Sequence, residues 1–478
     1  MRIELGQGEF STLELKEVFK LKYTIMKLRF FLFMTAMVIM LIACDKYLDV
    51  KSDARLVVPT TLKDAQGLLD DAALINLAAT PSYGETSADD FFLTQATLNS
   101  VGVTGVDLYS WKSIDYRYGN DWSKAYLVVF NANLCLELLE KIDRTTSNRL
   151  EWDNAKGSAL FLRSYYYLML TAQHGLGYDE NTAKDDLGIV IRQSSDFNKI
   201  SLRSSIKDCF SQIVTDLEQC IKYLPDYPQH VMRPSKGAAY ALLARTYLYL
   251  HRYDDALKNS NEALRLNAQL IDYNSDPDVI GITANVPFKK FNKETIFYSE
   301  MWSGFEIHGT FYAKIDTSLY DSYGPNDLRK TAFFKSNGNY QQFKGSYAAN
   351  ATTLFSGLAT DEQYLTRAES KAYLNNVTGA MDDLNTLLKK RWKLSVPYIP
   401  ITATNTIEAL TKVRQERRKE LIMRGLRWAD IKRYNKEGSN IVLTREVNGK
   451  LYKLEPNSKS YALPLPTDII QLSGVPQN

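Results

Sequence analysis

The chain has 478 residues, 45% hydrophobic and 24% charged, with 24 Gly and 14 Pro, which excludes a disordered or collagen-like polymer and leaves material for a large core. A formal charge of +3 is too small over this length to make a polyanion-binding surface, so nucleic acid is excluded as a partner. Four cysteines and four histidines, with no CxxC or HExxH spacing, exclude a disulfide framework and the common zinc motifs, and no cofactor or metal is expected.

Residues 26–44 read MKLRFFLFMTAMVIMLIAC. Lys27 and Arg29 give a basic start, Phe30 to Ile42 a 13-residue apolar run, and Ala43 a small residue before Cys44. This is the order and length of a secretory signal; a membrane-spanning helix needs about 20 apolar residues. The LIAC ending resembles a bacterial lipobox, which makes Cys44 the site of lipid attachment. Residues 1–25 are too polar for the start of a signal, which places initiation at Met26. The reading is therefore a signal region over 1–43 and a lipidated tether over 44–60.

Thr61 caps a helix opening with Leu62, Asp64 and Ala65. Residues 80–120 lack helical periodicity and carry Pro81, Gly84, Gly102, Gly105 and Gly119, so they read as loop. Apolar spacings of three and four predict helices over 121–142, 152–174 and 203–224. Cys209 and Cys220 share the last of these, about 16 Å apart along its axis, too far to bridge. In 237–266, Tyr240, Leu243, Ala244, Tyr247, Ala256 and Ala263 fall at the spacings of the 34-residue TPR hairpin. Residues 361–391 repeat that spacing with Tyr364, Leu365, Ala368 and Ala380, and 152–174 with 203–224 reads as a third, degenerate hairpin. Between them, 271–360 is a loop-rich insertion in which 294–302 alternates like a strand. Asn448-Gly449 marks a β-hairpin. The expected fold is mostly α: TPR-like hairpins as a scaffold with loop-rich insertions containing short strands, divided into 61–270, 271–360 and 361–478.

Near the carboxyl end, Asn405 with Glu408 can form a capping box, and Ile407, Leu410, Val413 and Leu421 supply a buried face. Glu416, Arg417, Glu420, Arg427 and Asp430 are read as an ion-pair network pinning this helix to the next. The segment 416–434, ERRKELIMRGLRWADIKRY, resembles a segment of the SusD/RagB family, outer-membrane lipoproteins of Bacteroidetes. The YALPLPTDII of 461–470, RSYYYLML of 163–170 and LTRAESKAYL of 365–374 fit the same family, in its order. Arg424 departs from it, standing where an acidic residue is usual, and the chain's QLSGVPQN ending departs from a longer tail. The resemblance implies a SusD-like fold and a non-catalytic surface lipoprotein that captures oligosaccharide, or alternatively peptide. It also implies delivery to a SusC-like TonB-dependent transporter. A periplasm-facing TPR scaffold lipoprotein is the alternative from another class.

GxSxG, GxGxxG and the P-loop are all missing. The carboxylate pairs Asp89-Asp90, Asp185-Asp186, Asp254-Asp255 and Asp382-Asp383 are sequence neighbours, which point apart on a helix rather than across a cleft. Two of them are read as opening the second helix of a TPR hairpin, and His174 as a partner for a helix C-terminus. Stacking on C–H faces of sugars calls instead for aromatic rings on loops. The candidates are Tyr109, Trp111, Tyr116 and Tyr118, then Trp302, Phe305, Tyr312, Tyr320 and Tyr323, with Trp111 foremost. Trp302 shares a strand face with Ile296 and Tyr298, and Trp122 is read as packing.

Overall fold

Side-chain caps and small-residue seams set the helices of this chain. The computed structural model describes residues 17, 20–31, 34, 59–304 and 307–478. Cys44, the lipobox, the tether up to residue 58 and Phe305 lie outside them. Met1–Pro59 and Thr60–Asn478 are separate units. In the first, residues 20–31 are helical; no helix among the described residues is long and apolar enough to cross a membrane.

The second unit begins with α1 (Leu62–Leu69), where Thr61 and Asp64 form a reciprocal capping box. The long helices that follow are α2 (Asp121–Leu139), α3 (Arg149–His174), α4 (Ile206–Cys220), α5 (Lys236–Tyr249) and α6 (Tyr253–Leu266). After the insertion come α7 (Thr360–Tyr373), α8 (Val377–Lys389), α9 (Thr406–Glu420) and α10 (Arg427–Lys436). Each of α2 to α8 packs on its successor, and α6 packs directly on α7. The expected repeats, separated in sequence, are thus contiguous in space. Ala238, Ala239, Ala241, Ala244, Ala256 and Ala263 are fully buried and let the helices approach closely.

Both TPR hairpins turn in the same way. The Arg252 amide donates to Tyr247 O and the His251 amide to Leu248 O; Asn376 and Asn375 repeat the pattern on Lys371 and Ala372. This is the Schellman end, with His251 (φ 58°) and Asn375 (φ 63°) in the left-handed position that glycine usually takes. Buried ion pairs staple neighbours: Arg163–Asp216 at 2.8 Å joins α3 to α4, and Arg245–Glu362 at 2.6 Å joins α5 to α7.

Several local expectations change. Residues 80–120 contain three short helices, Tyr83–Ser87, Gln95–Ser100 and Val103–Tyr109, where loop was expected. The 294–302 strand is regular only over Thr295–Phe297, paired with Leu358–Ala359; beyond it Glu300 bridges to Phe355 and Met301 to Thr80, so the extended segment changes partners. The Asn448-Gly449 hairpin is present, joining Leu443–Val447 to Lys450–Leu454, with both turn residues at positive φ. At α9, Asn405 accepts from the Glu408 amide, but the Glu408 carboxylate takes the Thr404 amide instead of the cap's own. Ile407 is 78% exposed and is not part of the buried face; Ala409, Val413 and Leu421 are. Asp382-Asp383 lies past the first turn of α8, and Asp383 pairs with Arg367 and Lys371.

Of the five residues expected to pin α9 to α10, only Arg417 and Asp430 pair across them; Glu416, Glu420 and Arg427 pair with other segments. Arg417 meets Asp430 at 2.9 Å. Glu420, fully buried, takes Arg391 at 2.8 Å and Arg329 at 3.0 Å; Arg391 also reaches Glu294, and Arg329 reaches Asp327 and Glu416. It therefore ties α9 to the insertion. Arg424, the departure noted above, pairs with buried Asp361 at 2.7 Å.

A C-terminal strap closes on the first half of the chain. Tyr116 Oη donates to Pro464 O at 2.6 Å, the Leu463 amide to Gln173 O at 3.1 Å, and His174 Nδ1 lies 3.0 Å from Leu463 O. His174 is buried, and burial lowers its imidazole to about 3. It is a neutral hydrogen-bonding group, in place of the charged helix-end partner expected.

Candidate functional site

Tyr83 forms the hub of an aromatic cluster under the loops. Its ring lies 5.4 Å from Tyr116 and 5.9 Å from Trp302, and Trp111 and Trp428 pack in the same cluster. Three of the sequence candidates, Trp111, Tyr116 and Trp302, are thus brought together. Asp121 fixes the hub by accepting the Ser82 and Tyr83 amides at 2.6 and 2.8 Å; burial raises its carboxyl to about 7, against those hydrogen bonds.

Burial divides the candidates. Tyr109, Tyr116 and Tyr323 are buried, which is a correction to their expected role: their hydroxyls are used internally and their faces are covered. Tyr109 Oη accepts the Leu93 amide, Tyr116 Oη donates to Pro464 O, and Tyr323 Oη donates to Lys419 O. Trp111 is half-buried, with Nε1 donating to Ser87 O at 3.0 Å and the Arg445 guanidinium 5.5 Å over its ring. It sits at φ 58°, ending the Val103–Tyr109 helix in a position that costs a side-chain-bearing residue about 1–2 kcal/mol. Tyr320 is half-buried beneath Lys330. Tyr118 is 83% exposed, and Trp302 is half-buried at the cluster edge.

Next to Trp302 along the chain lies a cleft of about 430 Å³. Its frame is backbone pairing: the Trp302 amide donates to Thr80 O at 2.9 Å, Met301 to Leu354 O at 2.9 Å and Glu300 to Asn76 O at 2.7 Å. Ala78, Met301 and Leu354 supply apolar lining, with Thr310, Thr352 and Thr353 beside them; the Thr310 and Thr352 hydroxyls donate to Ala351 O and Asn350 Oδ1. Phe311 and Tyr312 meet edge to face, centroids 5.5 Å apart, and Phe311 is 66% exposed. The Phe311 carbonyl accepts from Asn337 Nδ2 at 2.9 Å and Lys314 Nζ at 3.1 Å, which fixes the backbone beneath the ring. Glu300 accepts from Lys290 Nζ at 3.0 Å and from Tyr298 Oη. His308, also in the lining, is lowered to about 4 by burial and lies 2.9 Å from Thr86 Oγ1; it is neutral at pH 7.

Such a lining can hold a neutral polyhydroxyl ligand by stacking and hydrogen bonding. Sequence reading reached Tyr312 but missed Phe311, whose neighbours are equally aromatic. The carboxylates of Glu85, Asp89 and Asp90 are outside this cleft. Glu85 is buried, its carboxyl raised to about 8 chiefly by burial and then by Asp90, while Arg427 and Arg418 hold Asp89 and Asp90 at 2.7 and 2.9 Å. They tie the 416–434 segment to the first loop region. Among the described residues no group of three or more His, Cys, Asp or Glu is placed to hold a metal ion.

Comparison with known proteins gives the family of this stacked helical-hairpin array and its aromatic loop cleft. A family model described as starch-binding, associating with the outer membrane, matches residues 46–248, and the SusD family model matches 294–473. The chain belongs to the SusD/RagB family. No curated protein matches it. Among solved structures it is similar to a putative sugar binding protein from Bacteroides vulgatus, at 20% identity, with 88% of this chain and 99% of that one covered and a TM-score of 0.71. A SusD superfamily protein from Bacteroides thetaiotaomicron gives 22% identity, 87% and 99% coverage and a TM-score of 0.70. A SusD-like carbohydrate binding protein from Bacteroides vulgatus gives 19%, 87% and 97%, and 0.63. At these identities the likeness is one of fold, and the fold is SusD-like, as the sequence resemblance implied.

Proposed function

We propose that this protein is a non-catalytic, lipid-anchored outer-membrane protein that captures oligosaccharide in the loop cleft and passes it to a SusC-like TonB-dependent transporter. The observation that carries the reading is the exposed Phe311 ring on a fixed backbone, beside Tyr312 and the threonines of the cleft. Cys44 is the anchor. The starch-binding description of the matching family model supports a glycan over a peptide.

The test is a glycan array followed by calorimetry. Binding of a neutral glycan that Phe311→Ala weakens about tenfold, as loss of an aromatic stacking partner should, supports the reading; wild-type protein that binds no glycan refutes it. Release of reducing ends from a bound polysaccharide would refute the non-catalytic part. Absence of a barrel after isolation in mild detergent would refute the transporter part, and a Cys44→Ala protein that stays in the membrane fraction would refute the anchor.

A further inference from the structure

A larger concavity, about 730 Å³, lies among the ends of the helices and shares no lining residue with the loop cleft. The segment after α3, the start of α4, the α5–α6 turn and the ends of α7 and α10 enclose it. We infer that it is a second site, for a neutral oligosaccharide; the inference rests on the glycan-capture reading above and adds to it.

Tyr373 carries the first part of the case. Its ring stacks on Tyr253 with centroids 3.7 Å apart and planes 16° from parallel. Tyr253 is buried and its hydroxyl donates to Glu437, so it cannot turn away. One face of Tyr373 is therefore fixed while the ring as a whole stays 47% exposed, a flat, pre-positioned surface for the C–H face of a sugar ring. Phe210 and Tyr178, edge to face at 5.6 Å, supply a second apolar wall. The volume falls in the range of small-ligand sites, about 300–1,000 Å³.

Charge carries the second part. Lys207 is paired with Glu180 at 2.8 Å, Lys436 with Asp179 at 3.3 Å, His251 with Glu437 at 2.7 Å, and Arg252 with Asp255 at 2.5 Å. Every Lys, Arg, Asp and Glu of the lining already has a partner, so the lining presents no unpaired charge that would favour an ionic ligand. A neutral ligand rich in hydroxyls can add hydrogen bonds to these pairs, and to Asn181, Ser211 and Thr215, without displacing any.

The experiment titrates the full chain, in detergent, with malto-, cello-, manno- and xylohexaose, and with an oligogalacturonate as the anionic comparison. The expected result is two sites for a neutral hexaose, of which Tyr373→Ala weakens one about tenfold and Phe311→Ala the other. Tyr373→Phe should keep both, and the oligogalacturonate should not occupy the Tyr373 site. Circular dichroism checks that the variants are folded. A single site, weakened in Phe311→Ala and untouched in Tyr373→Ala, overturns the second site and leaves glycan capture standing. No binding of any hexaose overturns both. If Tyr373→Ala leaves every titration unchanged but frees a co-isolating barrel, the concavity is a protein-docking surface and the inference fails.

Discussion

Replacing Glu420 by alanine tests whether the charge network holds the insertion to the C-terminal helices. Glu420 is fully buried between Arg391 and Arg329, at 2.8 and 3.0 Å. Removing one partner of a buried ion pair leaves a desolvated charge and costs about 3–5 kcal/mol. Here both arginines keep other partners: Arg391 retains Glu294 at 2.8 Å, and Arg329 retains Asp327 and Glu416 at 2.7 and 2.6 Å. The expected loss is therefore at the lower end, about 3 kcal/mol, a large share of the 5–15 kcal/mol typical of a folded domain. Urea unfolding followed by circular dichroism and tryptophan fluorescence should show the midpoint fall, and melting should drop by about 6 °C at roughly 2 °C per kcal/mol for a chain of this size. Glu262→Ala, which removes the exposed Arg265 pair, should move the midpoint by less than about 1 kcal/mol. A Glu420→Ala loss below about 1 kcal/mol would refute the reasoning, because the network would then be contributing no more than a surface pair.

Burial holds the His308 imidazole near 4, below its unfolded value of about 6.5. As pH falls, the unfolded chain takes this proton first, so stability is full above about pH 6.5 and declines towards pH 4, by about 3 kcal/mol for this group. Urea midpoints at pH 7.5 and 4.5 should differ less in His308→Gln than in wild type; equal differences would refute the assignment. A Cβ on Gly357 would lie 2.0 Å from Phe297 O, so Gly357→Ala should melt well below wild type. Gly67→Ala, open on all sides within α1, should be stabilised by up to about 1 kcal/mol. Phe311→Ala, at a ring 66% exposed in the cleft, should lower glycan affinity in calorimetry with little change in melting. Tyr323→Phe, which removes a 2.7 Å bond to Lys419 O, should do the reverse, at about 1 kcal/mol of stability.

The helical scaffold was legible because Leu243, Ala244, Tyr247, Ala256 and Ala263 fall at the spacings of a helical hairpin, and the smallness of the alanines has one use, close helix approach. The charge network was half legible: Arg417 and Asp430 lie on adjacent helices, whereas Arg329 and Arg391 come from segments whose proximity to Glu420 no spacing reveals. The loop aromatics were the least legible. Tyr116 and Tyr323 sit among glycines and polar residues, as exposed rings do, yet each hydroxyl finds a carbonyl far along the chain, 348 and 96 residues away. Phe311 is the converse, an apolar ring with no polar handle that stays in solvent because its backbone is held from below.

The C-terminal strap also fixes an order of events during synthesis. His174 meets Leu463 across 289 residues, and Tyr116 meets Pro464 across 348. The polypeptide carrying the first partners is made long before the second, and until then the buried imidazole and the Tyr116 hydroxyl have no acceptor but water. A nascent chain that has passed α6 can stack its hairpins but cannot seal this end of α3. Completion of the native state therefore waits for residues 461–467, and the growing chain stays open to unfolding along the very edge where its aromatic cluster will later be shut.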